Sequence, residues 1–314
     1  MNIRKRNQIY VLKIALLFAM VIGLCFLTLS YGETNNLIMQ FRIPRTTAAL
    51  LCGIAFGMAG NVFQSLLNNP LASPDIIGVS SGSTAAAVYC ILFMNLNRNL
   101  VSIIATLAGI FIAALIYRIS YLNKFSSNRL ILVGIGFQAF FSALINWMIM
   151  KAAEYDVPTA MRWMNGNLNG IVTDSLPFLG LVVFICFITI IALNHGMQSL
   201  LIGEQTAIIH GVNVNLTRTL LIICSVILIA FATAVSGPIS SIAFLSGPIA
   251  GKLCGRNHSN IISSGLVGAI LVLSGDFTGQ YLLFTRYPVG VVTGILGAPY
   301  LIYLLISQNK KGKL

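Results

Sequence analysis

The chain has 314 residues, of which 57% are hydrophobic and only 8% are charged. A soluble domain carries about 25% charged residues, so this composition excludes a water-soluble globular protein. The 19 Lys and Arg outnumber the 7 Asp and Glu, but they are spread between apolar runs and form no stripe of the kind that binds nucleic acid. The composition therefore predicts an integral membrane protein.

Apolar runs separated by polar, Gly or Pro clusters follow one another along residues 1–314, which predicts one all-α transmembrane domain. Each crossing needs about 20 mostly apolar residues, so the chain has room for roughly ten. The first run follows basic residues, but it is longer than the apolar part of a signal peptide and lacks a clear cleavage site, so we interpret it as a retained span. Gly237-Pro238 precedes a short eighth run and predicts a broken or tilted helix. The predicted spans are 11–29, 46–67, 76–95, 100–118, 129–150, 175–194, 218–236, 239–253, 261–282 and 288–306.

The distribution of basic residues between the spans predicts that both termini lie in the cytoplasm. In this orientation thirteen Lys and Arg fall in cytoplasmic segments and six in external ones, as the positive-inside rule expects. The longest external connection then runs between Lys151 and Asp174, and the longest cytoplasmic one between His195 and Arg218.

The sequence predicts no metal or nucleotide site. His195, His210 and His258 fall in connections without metal-ligand spacing, and the six cysteines show no CxxC pair. The strings that begin at Gly134 and Gly247 resemble nucleotide-binding motifs. The first opens a span with no strand before it, and the second is one residue short of a phosphate loop. We therefore expect neither ATP hydrolysis by this chain nor a bound cofactor.

One acidic residue, Asp276, lies clearly within an apolar run. Intramembrane acids are functional candidates, but a single acid argues against a relay built from several. Two interpretations stay open for Asp276: a site that couples transport to protons or sodium, and a buried hydrogen bond between helices.

Small and polar residues within the runs predict how the helices pack. Glycines four residues apart place small residues on one helix face, where two backbones approach closely. Asn61, Gln64 and Asn68 share one face of the second span, and that face either lines a pathway or packs through hydrogen bonds. Gln280, in the ninth predicted span, is a further candidate for the pathway. The packing glycines are Gly53, Gly57, Gly60, Gly78, Gly82, Gly290 and Gly294.

Short motifs rich in Gly, Pro and Asn recur along nearly the whole chain. The motifs are Arg42-Ile-Pro-Arg45-Thr, Gly57-Met-Ala-Gly60-Asn-Val-Phe-Gln64, Asn69-Pro-Leu-Ala-Ser-Pro-Asp-Ile-Ile-Gly78-Val-Ser-Ser-Gly82, Trp163-Met-Asn-Gly166-Asn-Leu-Asn-Gly170, Gly203-Glu-Gln-Thr-Ala207, Gly237-Pro-Ile239, Tyr287-Pro-Val-Gly290 and Gly297-Ala-Pro299. In this order they resemble the FecCD-type permeases of ABC importers for iron–siderophore, haem and cobalamin.

The resemblance implies a type II ABC importer permease fold and a set of partners. Two permease subunits, identical copies or paralogues, form a central pathway in the bacterial cytoplasmic membrane. Two cytoplasmic ATPases bind ATP and Mg, and an extracytoplasmic binding protein delivers the ligand. This chain would then convert closure of the ATPases into alternating access.

The resemblance also implies one site at each end of the bundle. Arg42 and Arg45 match the family's arginine pair at an outer mouth where the binding protein docks, and anchoring of the helix end in the lipid interface is the alternative. Arg286, which falls in an external segment, is assigned to the same outer mouth. A cytoplasmic segment, residues 200–216, matches the coupling helices that dock on the ATPase. Its predicted residues are Gly203, Glu204, Gln205, Thr206, Ala207, His210, Gly211 and Val212.

The function that the resemblance implies is ATP-driven import of a ferric siderophore. Haem or cobalamin is the alternative ligand within the same family. A carrier driven by protons or sodium through Asp276 is a different class of transporter. A membrane enzyme is a third class, and no catalytic constellation in the sequence supports it.

Overall fold

The computed structural model describes residues 3–32, 35–70, 72–121, 126–171, 173–255 and 259–309. The regular elements in these ranges are all helical and include a 3₁₀ turn at Pro74–Ile77 and a π-helical turn at Thr278–Leu282. The α-helices are α1 Ile3–Ser30, α2 Asn36–Leu66, α3 Val79–Phe93, α4 Arg98–Ser120, α5 Ser127–Lys151, α6 Val157–Met164, α7 Ser175–Ala192, α8 Asn194–Ile202, α9 Glu204–Ile209, α10 Val214–Ser236, α11 Ile242–Cys254, α12 Ile261–Phe277 and α13 Val289–Asn309.

Within the described ranges, seven helices are long and apolar enough to cross a membrane, and three further apolar segments are shorter: α3, α11 and residues Val289–Leu304 of α13. Together these helices account for the ten predicted spans. The short helix α6 lies in the connection between α5 and α7, and α8 and α9 lie between α7 and α10. The fold is therefore an all-α membrane bundle, as predicted.

The bundle has two ends, which we name from the first helix. At the proximal end, where α1 begins, the Tyr10 hydroxyl donates to the carbonyl of Ser259 at 2.9 Å. At the distal end, where α1 finishes, the Arg42 guanidinium donates to the carbonyl of Leu29 at 3.2 Å. The connection that holds α8 and α9 lies at the proximal end, and the connection that holds α6 lies at the distal end.

The second helix forms the centre of the bundle, where it is mostly buried and contacts α7, α10, α11 and α12. Its small residues permit these contacts, because Gly53 and Gly57 lie against α12 and Gly60 lies against α11. A Cβ at Gly53 would lie 2.6 Å from the Cα of Ala269, and a Cβ at Gly60 would overlap the carbonyl of Ala243. Backbone-to-backbone contact of this kind requires glycine.

The other two predicted glycine pairs differ from those on α2. Gly78 precedes α3 with φ of +80°, so the prediction that Gly78 and Gly82 share a helix face is wrong. A Cβ at Gly82 would lie 2.8 Å from the side chain of Ile112 on α4, and a Cβ at Gly78 would lie 3.3 Å from that of Ile116. Gly290 lies against the carbonyl of Asn165, whereas a Cβ at Gly294 would meet its nearest atom at an ordinary 3.9 Å.

The second helix also begins earlier than the predicted residue 46. It starts at Asn36, whose amide donates to the side chain of Asn35 at 3.0 Å, and it continues through Pro44. A proline removes one backbone hydrogen bond, and here it does so in the first turns of the helix without ending it. Arg42 and Arg45 therefore project from α2 itself.

Candidate functional site

The distal end is held by an ion pair between two sequence-distant residues, Arg45 of α2 and Asp276 of α12. The Arg45 Nε and Nη2 atoms donate to the two carboxylate oxygens of Asp276 at 2.7 and 2.6 Å. The third nitrogen, Nη1, donates to Oδ1 of Asn169 at 2.5 Å. The side chains of Arg45 and Asp276 are only 18% and 8% exposed. Such a bidentate pair is both strong and directional, so it fixes α2 against α12.

This geometry changes the interpretation of the three arginines predicted at an outer mouth. All three nitrogens of Arg45 donate within the chain, so Arg45 acts as a clasp in this conformation. Arg42 is half-buried, with its guanidinium carbon 5.8 Å from the centre of the Tyr281 ring. Arg286 lies in the connection after the π-helical turn and is exposed. Arg286 is therefore the most accessible of the three cations.

The segment after α6, residues 165–170, connects the distal ends of several helices. The Asn167 amide donates to the carbonyl of Ser236 at 2.6 Å, and the Gly290 amide donates to the carbonyl of Gly166 at 3.3 Å. Arg98 of α4 donates to the carbonyls of Asn167 and Asn169. The segment therefore joins α4, α10 and α13 to the Arg45 clasp. The sequence signal for this segment was its pair of glycines, Gly166 and Gly170. Both have positive φ in the structure, a conformation that favours glycine.

At the proximal end, the predicted coupling segment folds into α8 and α9. Gly203 separates the two helices with φ of +143°, Ala207 is fully buried, and Gly211 follows α9 with φ of +74°. Glu204 accepts a hydrogen bond from Arg218 at 3.2 Å, but its side chain is 59% exposed. Gln205 and His210 are exposed, and Thr206 and Val212 are half-buried.

Exposed isoleucines form a surface on this segment that the sequence reasoning missed. Ile202, Ile208 and Ile209 expose 72%, 60% and 82% of their surface. Ile202 ends α8 directly before Gly203, and Ile208 and Ile209 end the short helix α9. Clustered exposed apolar side chains of this kind mark an interaction site.

A cavity of about 390 Å³ at the distal end and one of about 480 Å³ at the proximal end are lined by both polar and apolar groups. Asn61, Gln64 and Asn68 all line the proximal cavity, with Gln198 and Asn260. Asn61 and Gln64 lie on α2 and are buried, and Asn68 lies beyond the end of α2 with φ of +46°. The structure therefore brings three of the four pathway candidates together.

The fourth pathway candidate lies elsewhere. Gln280 belongs to the π-helical turn at the distal end, and its Nε2 atom is buried without a hydrogen-bond partner in the described ranges. Gln64, in contrast, donates to the carbonyl of Phe244 at 2.9 Å and so also ties α2 to α11. Gln64 thus packs α2 against α11 and also lines the proximal cavity.

Asp75 is a second acid that is partly buried, placed in the 3₁₀ turn between α2 and α3 at the proximal end. Its carboxylate accepts hydrogen bonds from the hydroxyls of Ser80 at 2.5 Å and Ser73 at 3.3 Å. Burial raises the pKa of Asp75 above its ordinary value, and the two hydroxyls oppose this effect. The motif around Asp75 thus forms a turn that is closed by hydrogen bonds to a carboxyl group with a raised pKa.

We expect the substitution Asp75→Asn to remove part of the pH dependence of stability. A carboxyl whose pKa is raised on folding contributes stability below its unfolded pKa of about 3.9, and this contribution is lost as pH rises through the folded pKa. The wild-type chain should therefore gain stability relative to Asp75→Asn on acidification from neutral pH. Melting temperatures of both proteins across that range measure the difference, and parallel curves would contradict the assignment.

In the described part of the chain, no group of three His, Cys, Asp or Glu side chains is placed to hold a metal ion. His195 and His210 lie in the α7–α10 connection, and His258 lies outside the described residues.

Comparison with known proteins places this architecture in a family. The model of the FecCD transport family matches residues 9–307. The chain belongs to the FecCD transport family. The ferric enterobactin transport system permease protein FepG of Escherichia coli (strain K12) is 34% identical over 87% of this chain and 83% of FepG. The iron-uptake system permease protein FeuC of Bacillus subtilis (strain 168) is 32% identical over 87% of this chain and 85% of FeuC.

Relatives of this FecCD-family chain also include a vitamin B12 permease and a solved transporter. The vitamin B12 import system permease protein BtuC of Yersinia enterocolitica is 30% identical over 94% of this chain and 91% of BtuC. A structure described as an inward-facing conformation of a metal-chelate type ABC transporter matches with a TM-score of 0.86 and 27% identity, over 95% of this chain and 99% of that one. The predicted importer-permease fold is therefore confirmed.

Proposed function

We propose that this chain is the permease subunit of a bacterial ABC importer that carries a ferric siderophore through the cytoplasmic membrane by alternating access. The observation that carries the proposal is the family match over residues 9–307, together with relatives named for ferric enterobactin transport and iron uptake. An exposed apolar surface at the proximal end and an exposed cation at the distal end fit a subunit that meets different partners on its two sides.

The proposed orientation puts the proximal end in the cytoplasm. The α8–α9 surface then faces two ATPase subunits, which bind ATP and Mg, so this chain needs no cofactor of its own. The distal end faces an external binding protein, and Arg286 supplies an accessible positive charge for docking or for attracting an anionic ferric chelate. A second permease, an identical copy or a paralogue, completes the pathway.

The test is transport by the assembled system. The chain is reconstituted in proteoliposomes with its partner permease, ATPase and binding protein, and uptake of ferric enterobactin, a ferric hydroxamate, haem and cobalamin is measured with and without ATP. We expect ATP-dependent uptake of a ferric siderophore. Uptake of cobalamin or haem alone would favour the alternative ligand, and uptake driven by an ion gradient without ATP would overturn the proposal.

A single substitution on the α8–α9 surface gives a sharper prediction. Ile209→Asp should weaken binding of the ATPase by about 30-fold, because truncation of a central apolar contact at an interface costs about 2 kcal/mol or more. Ile209→Leu, which keeps the apolar surface, is the matched control and should bind as the wild type does. Affinity of the ATPase for detergent-solubilised permease measures both. Equal affinities of the Asp and Leu variants would show that Ile209 does not lie at the interface with the ATPase.

A proton- or sodium-driven carrier is the weaker alternative. Its candidate residue, Asp276, forms a bidentate ion pair with Arg45 and is 8% exposed. This geometry favours a structural role for Asp276.

A further inference from the structure

An apolar groove opens on the side of the bundle between α1, α2, α7 and α12. Its volume is about 610 Å³, and its lining consists only of apolar side chains and glycines. Phe18 of α1, Met58 of α2 and Phe184 and Phe187 of α7 form its walls, and Gly180 lies in its floor. The lining helices are membrane-crossing segments, so the surroundings of the groove are the hydrocarbon of the bilayer.

A polar cavity of about 320 Å³ continues this groove at the proximal end. Ile262 lines both spaces, whereas Tyr10, Asn194, Gln198 and Ser259 line the polar cavity and not the groove. Two atoms here, Oδ1 of Asn194 and Oγ of Ser259, are buried and have no hydrogen-bond partner in the described ranges. A buried polar atom without a partner is unfavourable by about 1–3 kcal/mol, so a polar ligand at this position would be stabilised.

The combined length of the groove and the polar cavity matches the thickness of one leaflet of the bilayer. From Gly180 in the groove to Ile191 in the polar cavity, α7 advances by eleven residues, or about 16 Å at 1.5 Å per residue. Half of the hydrocarbon core of a bilayer is about 15 Å. The polar cavity therefore lies where headgroups lie, and the groove reaches to the middle of the membrane.

We propose that this space binds one glycerophospholipid whose headgroup carries a hydrogen-bond donor. One acyl chain fills the groove beside Gly180, and the headgroup occupies the polar cavity. The Asn194 Oδ1 atom accepts from the ammonium of ethanolamine or a hydroxyl of glycerol, and the Ser259 hydroxyl donates to a phosphate or ester oxygen. Choline has no donor to offer Asn194, so phosphatidylcholine satisfies the site less well.

The site also has a place in the transport machinery of the bundle. Gln198 and Ser259 line both the lipid headgroup cavity and the proximal cavity that holds Asn61 and Gln64. A lipid seated on one side of these residues therefore supports the wall of the cavity on the other side. Lipid binding at this site depends only on the membrane-spanning fold and not on which ligand is transported.

The test is lipid retention by the full-length chain in native mass spectrometry. The delipidated protein in mild detergent is given phosphatidylethanolamine, phosphatidylglycerol or phosphatidylcholine with the same acyl chains. We expect one molecule of either donor-bearing lipid to be retained about fivefold more than phosphatidylcholine, the effect of about one buried hydrogen bond. Asn194→Leu should abolish this preference. Equal retention of the three lipids by the wild type would overturn the proposal.

The acyl-chain end is tested by a steric substitution with a matched control. A Cβ at Gly180 would meet only Leu51 at 3.8 Å, so Gly180→Leu fills the groove without a clash and should reduce retention of all three lipids. Gly23→Leu is the control, because a Cβ at Gly23 has no neighbour within 4 Å and Gly23 does not line the groove. Equal loss in both variants, or in neither, would contradict the site. Cross-linking of a lipid with a diazirine-labelled acyl chain to Val183 or Phe187 provides a second measurement if Gly180→Leu fails to fold.

Discussion

Asp276→Ala is expected to lower the stability of the folded chain by about 3–5 kcal/mol, because it leaves the Arg45 guanidinium buried without its counter-charge. Both partners are mostly buried, and the two hydrogen bonds between them are 2.7 and 2.6 Å long. Arg45 would keep only its hydrogen bond to Asn169. Unfolding of the purified variants in a detergent–denaturant titration measures the change.

The double substitution Arg45→Met with Asp276→Leu separates the charge from the packing. Replacing a buried ion pair by apolar residues of similar size is often neutral or stabilising, so the double variant should recover most of the loss. Arg42→Ala is a matched control on the same helix, since Arg42 makes one hydrogen bond to a backbone carbonyl and should lose about 1 kcal/mol. A single variant Asp276→Ala as stable as the wild type would show that the pair does not hold the distal end.

The same variants also report on mechanism. A chain that uses Asp276 to carry protons would lose transport in the double variant even where stability is recovered. A permease driven by ATPases would keep uptake when the apolar pair restores the contact between α2 and α12. Uptake by the double variant in proteoliposomes therefore distinguishes a structural clasp from a coupling acid.

The helices of this chain were predictable because the requirement for apolar length is local. A span needs only its own sequence, and each of the ten predicted spans corresponds to a helix in the described ranges. The start of α2 was misplaced because Pro44 and the two nearby arginines suggest a boundary. The cap on Asn35 and the contacts of Arg42 and Arg45 hold those first turns in the helix.

The site was less predictable because its contacts join residues that are far apart in the chain. Arg45 and Asp276 are separated by 231 positions, and a single sequence does not say which acid an arginine meets. Each residue was identified separately, the first as a mouth cation and the second as a lone acid. The segment 165–170 was recognised as a motif, but its bonds to α4, α10 and α13 depend on the tertiary arrangement.

The packing glycines show where sequence spacing is sufficient and where it fails. Four-residue spacing identified the close face of α2, because Gly53 and Gly57 are both within one helix. The same spacing failed at Gly78, which lies before α3 in a left-handed conformation. Spacing predicts a shared face only where the helix is continuous between the two residues.

Gly60→Ala is expected to be among the most damaging single-methyl substitutions in the described part of the chain. The added Cβ would overlap the backbone carbonyl of Ala243, and backbone cannot turn aside as a side chain can. Separating α2 from α11 also disturbs the bond from Gln64 to Phe244 one turn away. We expect a loss of about 3 kcal/mol or more, at the upper end of the range for overpacking.

The matched control for Gly60→Ala is Gly136→Ala on α5, where a Cβ would have no neighbour within 4 Å. In an exposed helix, alanine is favoured over glycine by about 1 kcal/mol, so this variant should be neutral or slightly stabilised. The two proteins carry the same chemical change, and their melting temperatures therefore isolate the effect of contact. If Gly60→Ala and Gly136→Ala have the same melting temperature, then α2 and α11 can separate without loss of stability. The central position of α2 would then not determine the stability of the bundle.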